Sequence, residues 1–237
     1  MKIDINFNFL SDSNGGDPDK TSPTLRSYHQ TLWSKELPNG KIFNLNKNHK
    51  SAYLYHQSEL GEFFLGSDAI THSYKNQRSK QWLIKQLPDN VVSGLFNRSA
   101  TIGSYIIFPN NKREGKGTIN QARGMNPLID DRFDLTLECI RLFYCNKMSP
   151  LFNVLTRYAD FFELFGSFDG YVDYFYLNDL LDSHGKISFF LPFDNFHTKP
   201  GFNNVKEYLT YNDEVINFIN NRNKRIDLEV NHVQSFH

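Results

Sequence analysis

The sequence predicts an α+β fold, a single domain in which an antiparallel or mixed sheet packs against several helices. Three observations predict it. Apolar and polar residues alternate over residues 2–10, and short apolar or β-branched runs flank turn-forming segments near 53–68 and 101–122. Three longer stretches, 130–144, 151–165 and 205–221, carry apolar residues at spacings of three and four. A chain of 237 residues with 39% hydrophobic content can bury one large core, so a single domain over 1–237 is expected.

The elements follow in order. Ile3, Ile5, Phe7 and Phe9 share one face of a half-buried strand. The loop after it holds Asp12, Asn14 and Asp17, without the spacing or terminal Glu of a calcium loop. Ser22-Pro23 reads as an N-cap with proline in the first turn, so a helix carries Leu25, Tyr28 and Leu32 to Trp33 and stops at Pro38-Asn39-Gly40. Tyr53–Tyr55 and Phe63–Leu65 are short strands, and a helical turn between them would align His56, Glu59 and Glu62. Trp82 to Leu95 is helical, interrupted at Pro88-Asp89. Thr101–Phe108 and Gly117–Ala122 form a hairpin with a basic tip at Lys112, Arg113 and Lys116.

The helix from Asp130 to Tyr144 is the longest continuous pattern. Phe133, Leu137, Ile140 and Tyr144 make its apolar face, while Asp131, Asp134, Glu138 and Arg141 line up at spacings of three, four and three. A second helix from Leu151 ends at Gly166 and packs on it. GYVDYFYLNDLL and KISFFLPF read as two buried strands or a helix and a strand, with Asp173 requiring a partner such as Arg123, Arg132 or Arg157. The last helix spans about Val205 to Asn221, its end complemented by Arg222, Lys224 and Arg225. A frayed tail at 230–237 is expected.

Charge narrows the function classes. Lys plus Arg equals Asp plus Glu at 26 each, so no global field steers the chain to nucleic acid. Nucleotide or nucleic-acid contact is left to local basic patches. The opening MKIDINFNFL has no export signal and no stretch is apolar enough for a bilayer, so a cytoplasmic protein without membrane contact is expected. Cys139 and Cys145, six residues apart on one helix, place their Cα atoms roughly 9 Å apart, too far for a disulfide.

The stretches SPTLRSYHQTLWSKELPNG, YLYHQSELGEFFLGSD, TINQARG, DDRFDLTLECIRLFY and GYVDYFYLNDLL together resemble an uncharacterised bacterial family, a domain of unknown function, over nearly the whole chain. The resemblance implies no activity. Thr101-Ile102-Gly103 and Asn120 are also similar to the C-terminal region of HNH-type modification-dependent restriction enzymes. Ser104 stands where that pattern has Asn, and no His pair flanks the segment.

Three functional expectations follow. The first is an enzyme acting on a nucleotide or nucleic-acid phosphate, with Asp131, Asp134 and Glu138 holding Mg²⁺ or Mn²⁺. Arg26, Lys35, Arg123 and Arg132 would meet phosphate, and His29 or His56 would act as base. The second is a metal-free nucleotide-dependent transferase using Arg26, Tyr28, His29 and Glu59. The third is a non-enzymatic protein-binding module, expected if an apolar patch replaces any concave charged pocket.

Overall fold

The computed structural model describes residues 1–49, 52–71 and 73–232. Its N-terminal segment departs from the expected strand. Ile3 and Phe9 are buried and Ile5 and Phe7 half-buried, as the alternation requires. Yet the segment joins no strand among the described residues: it turns, and Asn8 caps a 3-10 turn over Phe9–Asp12. Phe7 and Phe9 pack edge-on against Tyr28 instead. The period-two pattern reports burial over a helix, not pairing.

A single helical turn, α1 (Pro18–Thr21), leads into α2 (Pro23–Trp33). Ser22 accepts from the Leu25 amide at 3.0 Å, and Leu25, Tyr28, His29, Leu32 and Trp33 are buried, as the N-cap and spacing predict. The Pro38-Asn39-Gly40 turn then joins β1 (Lys35–Glu36) to β2 (Ile42–Phe43), with Gly40 at φ +80°. The main sheet begins with β3 (Leu54–Ser58) and β4 (Gly61–Ala69), an antiparallel hairpin in register from Leu54 opposite Leu65 to Ser58 opposite Gly61. No helical turn fits between them. The expected row of His56, Glu59 and Glu62 therefore does not form.

Helices α3 (Gln81–Ile84) and α4 (Asp89–Arg98) flank the predicted break at Pro88. The next strand, β5 (Tyr105–Pro109), pairs antiparallel with β4, giving the order β3-β4-β5. The expected hairpin partner is instead α5 (Ile119–Met125). Thr118 and Gln121 form a reciprocal capping box, each side chain bonding the other's backbone amide. The basic tip between them is tied down, since Arg113 grips both carboxylate oxygens of Asp160 at 2.6 and 2.8 Å.

Helix α6 (Phe133–Tyr144) buries Phe133, Leu135, Leu137, Cys139 and Ile140 completely. The predicted second helix is two, α7 (Phe152–Arg157) and α8 (Ala159–Glu163), broken at Tyr158. Gly166 follows at φ +71°. α9 (Phe168–Tyr174) takes the helical of the two alternatives, whereas the strand expected at KISFFLPF does not form: that segment is irregular apart from one bridge, Leu181 to Ile187. Asp173 is exposed and accepts from Asn178 at 2.6 Å rather than pairing with an arginine.

α10 (Val205–Asp227) runs past its expected end and buries Arg222 and Asn223. Arg222 is therefore no solvated C-terminal charge. Its guanidinium donates to the carbonyls of Phe175, Gly103 and Tyr105 at 2.8–3.2 Å, while Asn223 accepts from the Gly103 amide at 2.7 Å and donates to Thr101. This docking occupies the Thr101–Ser104 segment that resembled a nuclease element. It also requires a bare Cα, because a Cβ on Gly103 would lie 2.6 Å from the Ile219 carbonyl oxygen. Gly103→Ala is accordingly expected to lose about 1–3 kcal/mol in urea unfolding. An unchanged midpoint would show that α10 shifts freely. No described helix is long and apolar enough to cross a membrane.

Candidate functional site

One cavity among the described residues is a cleft of about 1300 Å³. One wall is the loop and helical turn from Gly15 to Pro23, and opposite it stand Gly66–Ala69 of β4 with Thr71, Ser73 and Asn76. Tyr53 and Tyr105 contribute aromatic surface, Asn110, Asn120 and Asp131 close one side, and Arg26, Ser27 and Lys47 line another.

Asp19 reaches into the cleft because Asp17 caps the turn that carries it and Pro18 opens that turn. Its carboxylate accepts a hydrogen bond from Ser67 Oγ at 2.6 Å. Burial pushes the Asp19 carboxyl up to about 7, against the opposing Ser67 bond and with a further rise from Asp68 and Asp17. The Tyr53 hydroxyl stands near Ser67 without completing a hydrogen bond of normal geometry. Burial and the nearby Asp19 charge raise both Tyr53 and Tyr105 above the ordinary phenol range, keeping them neutral proton donors.

Behind Ser67, Asp68 is buried on the Arg123 guanidinium, which donates to it from Nη1 and to Thr136 Oγ1 from Nε at 2.9 Å. Asp131 stands 3.6 Å from Arg123 Nη2. Burial outweighs the attraction of Arg123 and holds the Asp68 carboxyl above its usual range, with Asp131 adding repulsion. Asp130 and Asp131 both adopt positive φ, 49° and 58°, as does the buried Tyr74, whose hydroxyl donates to the Asp130 carbonyl at 2.8 Å. Tyr74 is the costliest of the three in that region. The acidic edge of the cleft is thus set by strained backbone held from behind.

The expected site residues separate. Arg26 and Asp131 line the cleft and Arg123 supports it. His29 is sealed in the core, with neither ring nitrogen hydrogen-bonded. His56 is buried too, its nitrogens engaged by the Asn44 carbonyl and Ser58 Oγ at 2.8 Å each, and burial lowers its pKa. Glu59 is exposed and pairs with Lys41 at 2.9 Å. None of these three faces the cleft, so as a catalytic set they are corrected. Lys35 lies on aromatic rings, 3.8 Å from the Tyr176 centroid and 4.6 Å from that of Tyr174. Burial lowers it to about 7, whereas the ring faces favour its charged form. It reaches no other expected phosphate ligand.

The carboxylate stripe also comes apart, because each member faces its own arginine. Asp131 faces Arg123, Asp134 is buried on Arg132, and Glu138 is bidentate with Arg141 at 2.7 Å. Among the described residues no three His, Cys, Asp or Glu side chains stand together as a metal cage. Arg132 is spent on Asp134 and is not open to phosphate.

Sequence reasoning missed Asp19, Ser67, Asp68, Tyr105 and Lys47. One available signal was Asp17-Pro18 placed just before Ser22-Pro23, two helix starts in succession that fold the acidic loop back on itself. Asp12 serves the second start, accepting from Ser22 Oγ at 2.6 Å and the Thr24 amide at 3.0 Å.

No match was found among curated proteins or among solved structures. A family model described as a family of unknown function (DUF6994) matches residues 3–226, and the chain belongs to that family.

Proposed function

We propose that the chain is an enzyme that transfers a proton to or from a small polar molecule held in the cleft, with Asp19 as acid and base. The observation that carries this reading is the Asp19–Ser67 pair in the wall of the cleft, with two neutral tyrosines beside it. A carboxyl that titrates near 7 holds both protonation states at neutral pH, the condition under which general acid–base catalysis is most efficient. The cavity is concave, charged and rich in hydroxyl and amide groups, which favours a small-molecule site over a flat protein-docking surface.

The test is the titration of the Asp19 side chain by carbon-detected NMR, with Asp19→Asn identifying the signal. A midpoint near 7 is expected, moved by a bound ligand. A midpoint near 4 overturns the acid–base role. A ligand screen by thermal unfolding runs alongside, since saturation at a hundred times the dissociation constant stabilises by about 2.7 kcal/mol.

A further inference from the structure

The Arg26–Lys47 side of the cleft holds positive charge that the protein leaves uncompensated. Arg26 is clamped by the loop it faces: Nε donates to the Tyr53 carbonyl at 2.6 Å, and Nη2 donates to the carbonyls of Ala52 at 3.1 Å and Lys47. Neutral carbonyls orient a guanidinium without cancelling its charge. Among the described residues Nη1 makes no hydrogen bond, and Arg26 has no carboxylate partner. Lys47 has none either. Among the described residues its ammonium bonds to the Ser27 hydroxyl alone, at 3.2 Å, one helical residue from Arg26. The third cation of the rim, Lys20, is 3.5 Å from Asp17 and so is already paired.

Five other arginines are compensated. Arg113, Arg123, Arg132, Arg141 and Arg225 each hold a carboxylate. Arg78, Arg98, Arg157 and Arg222 hold none among the described residues, but none of them lines the cleft: Arg222 is fully buried with its guanidinium consumed by carbonyls, and Arg157 donates to the carbonyls of Asn153 and Gly117. Among the described residues Arg26 and Lys47 combine the lack of a carboxylate partner with a place on the cleft wall.

We propose that Arg26 Nη1, Lys47 Nζ and Ser27 Oγ form an anion subsite that takes the phosphate of a phosphate-bearing small molecule. A fixed guanidinium, a mobile ammonium and a hydroxyl supply convergent donors to one tetrahedral group. The remainder of such a ligand extends toward Tyr53, Tyr105 and Asp19. The proposal rests on the reading of the cleft as a ligand site, but not on the role given to Asp19.

The test is calorimetric titration of the full chain at pH 7.5 and low salt with inorganic phosphate, AMP and adenosine. AMP is expected to bind at least about tenfold more tightly than adenosine, with inorganic phosphate competing, and raised salt is expected to weaken the AMP complex. In Lys47→Gln the advantage of AMP should disappear, while Lys147→Gln, at an exposed lysine outside the cleft, should keep it. Lys47 is exposed and this substitution leaves packing alone, whereas Arg26→Gln releases three loop carbonyls and serves only as a supporting variant. No phosphate binding up to about 10 mM, or a preference for AMP that survives Lys47→Gln, overturns the subsite. Because the Asp19 titration is read separately, a normal carboxyl midpoint alongside Lys47-dependent AMP binding would remove the acid–base reading and leave the subsite standing.

Discussion

Asp134→Ala is expected to lower the free energy of unfolding by about 3–5 kcal/mol, the cost of breaking a buried ion pair from one side. Arg132 is 1% exposed and Asp134 is 0% exposed. Arg132 donates to the carboxylate through Nε at 3.1 Å and again through Nη2, and the second carboxylate oxygen also accepts from the Phe190 amide at 2.9 Å. Alanine would leave a guanidinium uncompensated in the core and a backbone N–H without an acceptor. The double variant Arg132→Met/Asp134→Leu should recover most of the loss, since replacing both partners removes the desolvation cost along with the attraction. Urea unfolding of Arg132→Met, Asp134→Leu and the double variant gives the cycle. A loss below about 1 kcal/mol for Asp134→Ala would mean the carboxylate is solvated. The same experiment bears on the cation expectation. A deficit independent of magnesium, manganese and chelator is expected for an arginine partner, while wild-type stability that falls on chelation and is insensitive to it in Asp134→Ala would return Asp134 to the role of metal ligand.

What was legible in the sequence was local. The Ser22-Pro23 helix start, the stop at Gly40 and the break at Pro88 are written in capping and turn residues that act within a few positions. The strands around Phe63 were legible too, though not the two-residue closure that parts Glu59 from His56. Pairing between distant segments was not. β5 finds β4 across more than thirty residues, and the apolar run that forms it says nothing about which edge it will join. The Thr118–Gln121 capping box was present all along and outweighed the weaker strand signal at Ile119.

The candidate site shows the same division. Helical spacing predicted one row of Asp131, Asp134 and Glu138, but α6 starts only at Phe133, Asp131 lies before it at φ 58°, and Arg132 meets Asp134 from the N-cap position. The cleft draws Asp19, Lys47, Ser67 and Tyr105 from four segments that share no motif. Periodicity identifies a face, whereas a site made by folding segments together needs the tertiary arrangement.

His29 is expected to make the protein acid-sensitive through a single buried ring. Burial, reinforced by the Arg222 charge, lowers its pKa from 6.5 to about 3. The unfolded chain therefore binds a proton below about 6.5 that the folded chain refuses, and stability falls as pH falls through that window. Between pH 7.5 and 4.5 the linkage amounts to about 2.7 kcal/mol. Asp19 works in the opposite direction: its folded pKa is raised, so its contribution is present at low pH and is lost as pH rises through about 7. The two effects overlap, and the wild-type curve alone would hide both. Comparison with His29→Leu separates them, because that variant keeps Asp19 and loses only the imidazole. At pH 7.5 leucine should be tolerated, since neither ring nitrogen has a partner to lose. At pH 4.5 the variant should be more stable than wild type by about 2.7 kcal/mol beyond any difference at pH 7.5. A difference that does not change between the two pH values would mean that the ring protonates inside the fold, with a partner that stabilises its charge.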